Sequence, residues 1–351
     1  MHSRINVSDF NLAATLECGQ AFRWCRASDG WFEGVVGREI WRLRQAEDIL
    51  EWETLSKSTP GRSKEGNSEL PSHGGAGGGS PQIHIVSYLS LDRSLPHITA
   101  TFPADDEHLR AAVQKHRGLR VLRQEPWECL ASFIASSTKQ IVQIRQIVAE
   151  LSRRFGEPII AVDGRDALSH VRGIVGRDAL PSHAAPRPTS FGRDALRRVL
   201  GRAAPPYHSF PTVEAIARAS HKELWDCKLG FRAKNLLAAA RMIDGGEVEL
   251  HTLPAMEYDR ALEELLKLPG VGEKIANCVL LFSCGFDQAF PVDVWVERAL
   301  RRLYFPRRKA TASQLREFAR NHFGPYAGWA QQYLFFNERT TAQRKRPVSR
   351  E

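Results

Sequence analysis

The segment Leu268-Pro269-Gly270-Val271-Gly272-Glu273-Lys274 joins two helical patterns through a Gly-x-Gly turn. Glycines let backbone N–H groups approach a phosphate closely, and the helix that follows adds the positive end of its dipole. Such a helix-hairpin-helix grips a nucleic-acid backbone without reading its bases. Lys274 falls on the first turn of the second helix, and Cys278, four residues on, projects from the same face. Nineteen residues past Lys274, in Phe290-Pro291-Val292-Asp293-Val294, a proline ends one segment and Asp293 is placed to cap the next helix. A carboxylate at a helix N-terminus is stabilised as the anion. Taken singly, Asp293 reads as a cap, Lys274 as a solvated helix lysine and the hairpin as a tight turn. Together they supply an amine nucleophile and an anion able to stabilise positive charge on a sugar.

The 351-residue chain carries 49 Lys and Arg against 40 Asp and Glu, a net charge of +9. That balance favours a polyanionic partner, of which nucleic acid is the commonest. Hydrophobic residues make up 42% and charged residues 25%, which excludes a chain disordered throughout. The length suggests about two or three domains. No stretch reaches the ~18–20 apolar residues that a membrane span needs. Residues 1–12 hold no apolar core of signal-peptide length, so secretion is not expected. The six cysteines include no C-x2-C pair and no tight four-cysteine run, which argues against a zinc ribbon or an iron–sulfur cluster. Scattered thiols fit a reducing compartment.

The elements that must position these groups fall into two regions. Phe22-Arg23-Trp24-Cys25-Arg26 and Trp31-Phe32-Glu33-Gly34-Val35 alternate about Ser28-Asp29-Gly30, which predicts a hairpin. Residues 54–82 are rich in Ser, Pro and Gly and cannot bury a core, so they read as a flexible insertion. Strand-like character resumes at 83–91, giving one β-rich domain over 1–103. From 104 the periodicity is helical, with helices expected over 107–115, 126–134, 141–155, 212–220, 233–244, 260–266, 273–284, 294–303, 312–323 and 328–337. A low-complexity stretch at about 163–206 repeats Gly-Arg-Asp-Ala-Leu from 164, 176 and 192. The unequal spacing argues for a surface-loop insertion rather than a solenoid. Residues 341–351 read as a basic, disordered tail.

Residues 265–304 resemble the helix-hairpin-helix Gly/Pro–Asp family of DNA glycosylases. Five further blocks resemble its 8-oxoguanine DNA glycosylase branch, in the family's order and across nearly the whole chain. They are Glu17-Cys18-Gly19-Gln20-Ala21-Phe22-Arg23-Trp24, Tyr88-Leu89-Ser90-Leu91-Asp92, Leu122-Arg123-Gln124-Glu125-Pro126-Trp127-Glu128-Cys129, Leu229-Gly230-Phe231-Arg232-Ala233 and Gly324-Pro325-Tyr326-Ala327-Gly328-Trp329-Ala330-Gln331. The resemblance implies an α+β chain. A TATA-binding-protein-like β-rich domain would precede an all-α helix-hairpin-helix catalytic domain over 104–340. It implies a bifunctional glycosylase and abasic-site lyase that needs neither metal nor organic cofactor. Lys274 would attack the sugar C1′ as the neutral amine, expel the base and form a Schiff base, after which β-elimination nicks the strand. Asp293 would stabilise the oxocarbenium-like transition state. The base must first be flipped out of the stack. The backbone carbonyl of Gly19 would then accept the N7–H that 8-oxoguanine has and guanine lacks, a distinction of ~1–3 kcal/mol. Gln331 would bond the Watson–Crick edge, with Phe335 and Cys278 on the two faces of the base. Gly270 and Gly272 would hold the backbone. The partner would be double-stranded DNA containing 8-oxoguanine. The protein would act as a monomer away from membranes, in the nucleoid-bearing cytoplasm of a bacterium or the nucleus of a eukaryote. The alternatives are a glycosylase for another damaged purine and a helix-hairpin-helix DNA-binding protein without catalysis. Gly19, Cys278 and Gln331 weigh against the first, and Lys274 with Asp293 against the second.

The chain departs from the family pattern on the side that reads the orphaned cytosine. A Tyr-Arg pair is Phe231-Arg232 here, which keeps a planar wedge and a guanidinium. In the loop after Ser136-Ser137, Thr138 stands where an asparagine is usual and Gln143 where an arginine is usual. Trp295 replaces a phosphate-binding histidine and has one neutral donor to offer. Fewer donors therefore converge on the opposite base. Cleavage of 8-oxoguanine paired with C, A, G and T is expected to show a weakened preference for C. A several-hundredfold preference would contradict this, since each lost contact costs ~1 kcal/mol or more.

Overall fold

The computed structural model describes residues 2–56, 81–137, 139–159, 207–307 and 310–344. Five short strands near the N-terminus alternate apolar and polar residues, and they pair into one antiparallel sheet. These are β1 (His2–Asn6), β2 (Trp24–Arg26), β3 (Phe32–Val36), β4 (Glu39–Ala46) and β5 (Ile49–Thr54), in the order β1-β5-β4-β3-β2. The expected hairpin is β2–β3, with Trp24 opposite Gly34. The missing side chain at Gly34 makes room for the Trp24 indole, which a Cβ there would meet at 2.5 Å. Trp24, Phe32, Trp41, Leu43, Leu50 and Trp52 are buried in one apolar cluster.

Residues 83–91 do not form the strand that their alternation predicts. Pro81–Tyr88 is a helix, α2. Ile85, Tyr88 and Leu89 stand at helical i, i+3 and i+4 spacing, and all three are buried in the cluster that the sheet supplies. So short an apolar run satisfies both periods. The open apolar face of the sheet decides between them, because a helix covers it. Trp24 Nε1 donates to Tyr88 Oη at 2.8 Å and ties helix to sheet.

The helices that follow are α3 (Leu95–Ala100), α4 (Glu107–Lys115), α5 (Pro126–Ser136) and α6 (Ile141–Phe155). After a two-stranded ribbon, Pro158–Ile159 with Tyr207–His208, come α7 (Val213–Ala217), α8 (His221–Leu224) and α9 (Arg232–Asp244). Then come α10 (Tyr258–Leu266), α11 (Glu273–Phe282), α12 (Val294–Tyr304), α13 (Ala312–His322) and α14 (Ala327–Arg344). Every helix expected from periodicity is present. The short α3 and α8, and α1 (Leu12–Glu17) among the strands, carry too few turns to show a period. The last helix runs past 337 to Arg344. Most of the 54–82 insertion, the 163–206 insertion, Thr138 and the tail from 345 lie outside the described residues. No described helix is long and apolar enough to cross a membrane.

Two helical cores divide the packing. One gathers α5, α6, α9, α10 and α11 around Leu130, Ile147, Leu236, Leu265 and Leu280. The other gathers α4, α12, α13 and α14, and takes in Ala14 and Cys18 of the N-terminal segment. Gly328 is where α14 meets α11. A Cβ there would lie 2.3 Å from Leu281 Cδ1 and 2.6 Å from the Ala289 carbonyl oxygen. Gly328→Ala is expected to destabilise the fold by ~2 kcal/mol, seen as a lower denaturant midpoint. An unchanged midpoint would show that this contact relaxes freely.

Candidate active site

The hairpin between α10 and α11 is built on Gly270, whose φ of +80° favours glycine. A Cβ there would also meet Asn235 of α9 at 2.6 Å. Gly272 then caps α11 in extended conformation. Lys274 follows within the first turn. Its Nζ lies 3.4 Å from Ser136 Oγ and 4.8 Å from the centre of the Phe133 ring. Phe133 stacks in turn on Phe282, at 5.6 Å between centroids. The nucleophile candidate therefore rests on an aromatic floor with one hydroxyl beside it.

Asp293 caps α12, as its place after Pro291 predicts. Its Oδ1 accepts from the backbone N–H groups of Trp295 at 3.0 Å and Val296 at 2.8 Å. Burial raises its carboxyl above the usual range, while the Val296 amide, the Lys274 cation, the Trp295 amide and the Arg339 cation pull the other way. Cys278 lies one turn beyond Lys274 and is buried. Burial pushes its thiol up to about 11, with Lys274 opposing the rise and Asp293 adding to it. At neutral pH it is an uncharged, polarisable surface rather than a thiolate.

The loop after α1 brings Gly19 to the same place. Gly19 is left-handed at φ +85°, and a Cβ there would strike Ile141 Cδ1 at 2.9 Å. Buried Gln20 holds the loop from below. Its Nε2 donates to the carbonyls of Thr15 at 3.0 Å and Arg120 at 2.7 Å, and its Oε1 accepts from Leu122 N–H at 2.8 Å. The carbonyls on either side of Gly19 are also engaged. Gln332 Nε2 donates to that of Cys18 at 3.3 Å, and Gln124 Nε2 to that of Gln20 at 2.8 Å. From α14, Gln331 points inward at 3% exposure, and its Oε1 has no hydrogen-bond partner among the described residues. Phe335 is one turn on.

Gly19, Lys274, Cys278, Asp293, Gln331 and Phe335 line one cavity of about 370 Å³, within the size range of small-ligand sites. Trp295 also lines it, and its ring centre lies 4.8 Å from the Arg298 guanidinium carbon. The two residues of the Phe231-Arg232 pair are neighbours but face different ways. Phe231 is 58% exposed, whereas Arg232 is 3% exposed beneath it, 4.3 Å from the ring centre. Arg232 donates to the carbonyls of Leu229, at 3.0 Å, and Ser137. Gln143 does not line the cavity. Its Oε1 accepts from Gln140 N–H at 3.1 Å and closes the first turn of α6. The sequence reading missed Phe133, Ser136, Ile141 and Arg339, which also line the cavity. Phe133 and Ile141 look like core positions by periodicity. The one signal for Arg339 is its place eight residues past Gln331, on the same helix face.

Two family models match the chain. They are the 8-oxoguanine DNA glycosylase N-terminal domain, over 3–130, and the HhH-GPD superfamily of base excision DNA repair proteins, over 191–325. An N-glycosylase/DNA lyase of Saccharomyces cerevisiae is 28% identical over 385 aligned positions, covering 95% of this chain and 85% of the relative. Among solved structures, MBOgg1 in complex with a low-affinity DNA ligand superposes with a TM-score of 0.75 at 28% identity, covering 97% of this chain and 96% of that one. The 8-oxoguanine glycosylase/lyase of Clostridium acetobutylicum, bound to double-stranded DNA with cytosine opposite 8-oxoguanine, gives 0.72 at 25% identity, covering 97% and 98%.

Replacing Gln20 tests how the loop is held. Gln20→Leu leaves the Arg120 carbonyl and the Leu122 N–H without their partner, at a cost of ~3 kcal/mol of stability. Chemical denaturation measures it. A loss below ~1 kcal/mol would mean that the loop is fixed by other contacts.

Proposed function

As this chain belongs to the 8-oxoguanine DNA glycosylase branch of the HhH-GPD superfamily of base excision repair proteins, we propose that it excises 8-oxoguanine from duplex DNA through Lys274 and then nicks the strand as a DNA lyase. The observation that carries this reading is the single cavity in which Lys274, Asp293, Gly19, Cys278, Gln331 and Phe335 converge. No requirement for backbone binding alone would bring an amine and a capped carboxylate into a cavity of base size.

A flipped nucleotide enters with its sugar toward Lys274 and its base toward Gly19. The Lys274 amine forms a bond to C1′ while the glycosidic bond breaks, and the base departs with the bonding electrons. Positive charge that develops on the sugar is met by the Asp293 carboxylate, which two backbone amides hold in place. Loss of the amine proton and ring opening give a Schiff base between Lys274 and C1′. Loss of a C2′ proton expels the 3′ phosphate, and water then releases the enzyme. The Gly19 carbonyl accepts the lesion's N7–H. Gln331 offers an acceptor and two donors to the Watson–Crick edge. The neutral Cys278 thiol and the Phe335 ring enclose the base. Phe231, exposed at the start of α9, wedges into the emptied stack. Arg232 reaches the orphaned cytosine on leaving the Leu229 and Ser137 carbonyls. The Gly270–Gly272 hairpin holds the backbone. The protein acts as a monomer, in the nucleus of a eukaryote or the nucleoid of a bacterium.

Borohydride trapping tests this on a duplex with one 8-oxoguanine opposite C. The native protein is expected to form a lesion-dependent covalent adduct, and Lys274→Gln to form none. An adduct that persists in Lys274→Gln moves the nucleophile to another residue. An adduct on an alkylated purine but not on 8-oxoguanine changes the substrate.

A further inference from the structure

Arg339 lies two turns past Gln331 on α14 and lines the same cavity. Its Nη1 is 3.4 Å from the point that a Cβ on Gly19 would occupy, and Phe335 Cε1 is 3.6 Å from that point. The guanidinium thus stands at the Gly19 end of the cavity, on the side where Phe335 covers the base. Nη1 donates to the Glu17 carbonyl at 3.2 Å. Among the described residues Arg339 makes no ion pair, and its neighbour Glu338 is engaged with Arg302 at 2.6 Å. The charged groups that share its cavity are Lys139, Lys274 and Asp293; burial and the Arg145 cation weigh against the guanidinium's charge, and Cys18, Glu17 and Asp293 favour it. A guanidinium has five N–H donors in a planar fork. With one carbonyl bonded and no ion pair, a guanidinium in a partly buried cavity keeps N–H donors that an arriving acceptor would satisfy.

The lesion has such an acceptor. 8-Oxoguanine differs from guanine at two adjacent atoms: N7 gains a hydrogen and C8 gains a carbonyl oxygen. The Gly19 carbonyl answers the first change. Resting on the function proposed above, we infer that Arg339 donates a hydrogen bond to the C8 oxygen of the flipped base, so that an acceptor and a donor side by side read both atoms altered by the damage. Guanine has C8–H at that point and forfeits this contact together with the one to Gly19. Arg339 is therefore a specificity-determining residue rather than part of the group that breaks the glycosidic bond.

The test separates the C8 oxygen from the N7 hydrogen. 7-Deazaguanine and 7-deaza-8-oxoguanine both lack N7–H and differ in the C8 oxygen. Duplexes carrying each of them, 8-oxoguanine, guanine or a tetrahydrofuran abasic site, all opposite C, are titrated with Lys274→Gln protein. The titrations are repeated with Arg339→Met or Arg339→Lys added. With Arg339 present, the C8 oxygen is expected to tighten binding ~10-fold, the size of a charge-assisted hydrogen bond. The increment falls to less than ~2-fold in Arg339→Met and is partly kept in Arg339→Lys. Binding to the tetrahydrofuran duplex, which has no base, stays the same in all three. An equal increment with and without Arg339 overturns the inference. So does a loss on the tetrahydrofuran duplex, because Arg339 would then serve the Gly19 loop or the DNA backbone. Absence of an increment with Arg339 intact overturns it without any Arg339 variant. If Arg339-containing protein does not distinguish 8-oxoguanine from guanine at all, the proposed substrate fails first and this inference falls with it.

Discussion

The amide of Gln20 lies where three distant parts of the chain meet. It bonds Thr15 in the first helix and the Arg120 and Leu122 backbone that leads into α5. The carbonyl beside it, that of Cys18, is taken by Gln332 of the last helix. A buried amide with both ends satisfied is worth more as a constraint than as a stabilising contact, because every displacement leaves a polar group unpaired. Through it the one left-handed glycine of the cavity is held against α14.

Helix ends do much of the remaining positioning. Asp293 spends its Oδ1 on two amides of α12, and this bond network both starts the helix and aims the carboxylate into the cavity. Gly272 starts α11, and Lys274 follows within its first turn. Lys274 and Asp293 thus sit at the starts of consecutive long helices. Burial works on the charged and polar groups together. It raises the carboxyl of Asp293 and keeps Cys278 a thiol. It also makes the unpaired Gln331 oxygen expensive to leave without a partner.

The two sides of the site differ in how far they are prepared. Gly19, Lys274, Cys278, Asp293, Gln331 and Phe335, from one loop and three helices, already converge on one cavity. Of the residues proposed to meet the orphaned strand, Arg232 and Gln143 lie at helix starts and are bonded within the protein. Arg232 is turned under Phe231 and bonded to carbonyls, and Gln143 closes its own helix. Those internal bonds compete with any contact to DNA, so ordering that side costs more than filling the cavity.

The α+β class, most helices, the hairpin at Gly270–Gly272 and the roles of Lys274 and Asp293 as neighbours of helix starts were legible in local sequence. Caps, turn glycines and periodicity act over a few residues, and they carry their physics with them. The short helices were not legible, nor was the helical state of 81–88, because a brief apolar run fits either period until the sheet offers a face to cover. Nor could any local pattern show that Phe133 lies under Lys274, that Arg232 points inward, or that Arg339 stands at Gly19. Those facts depend on contacts between segments far apart in the chain, and which side chains share a cavity is decided only when the helices close around it.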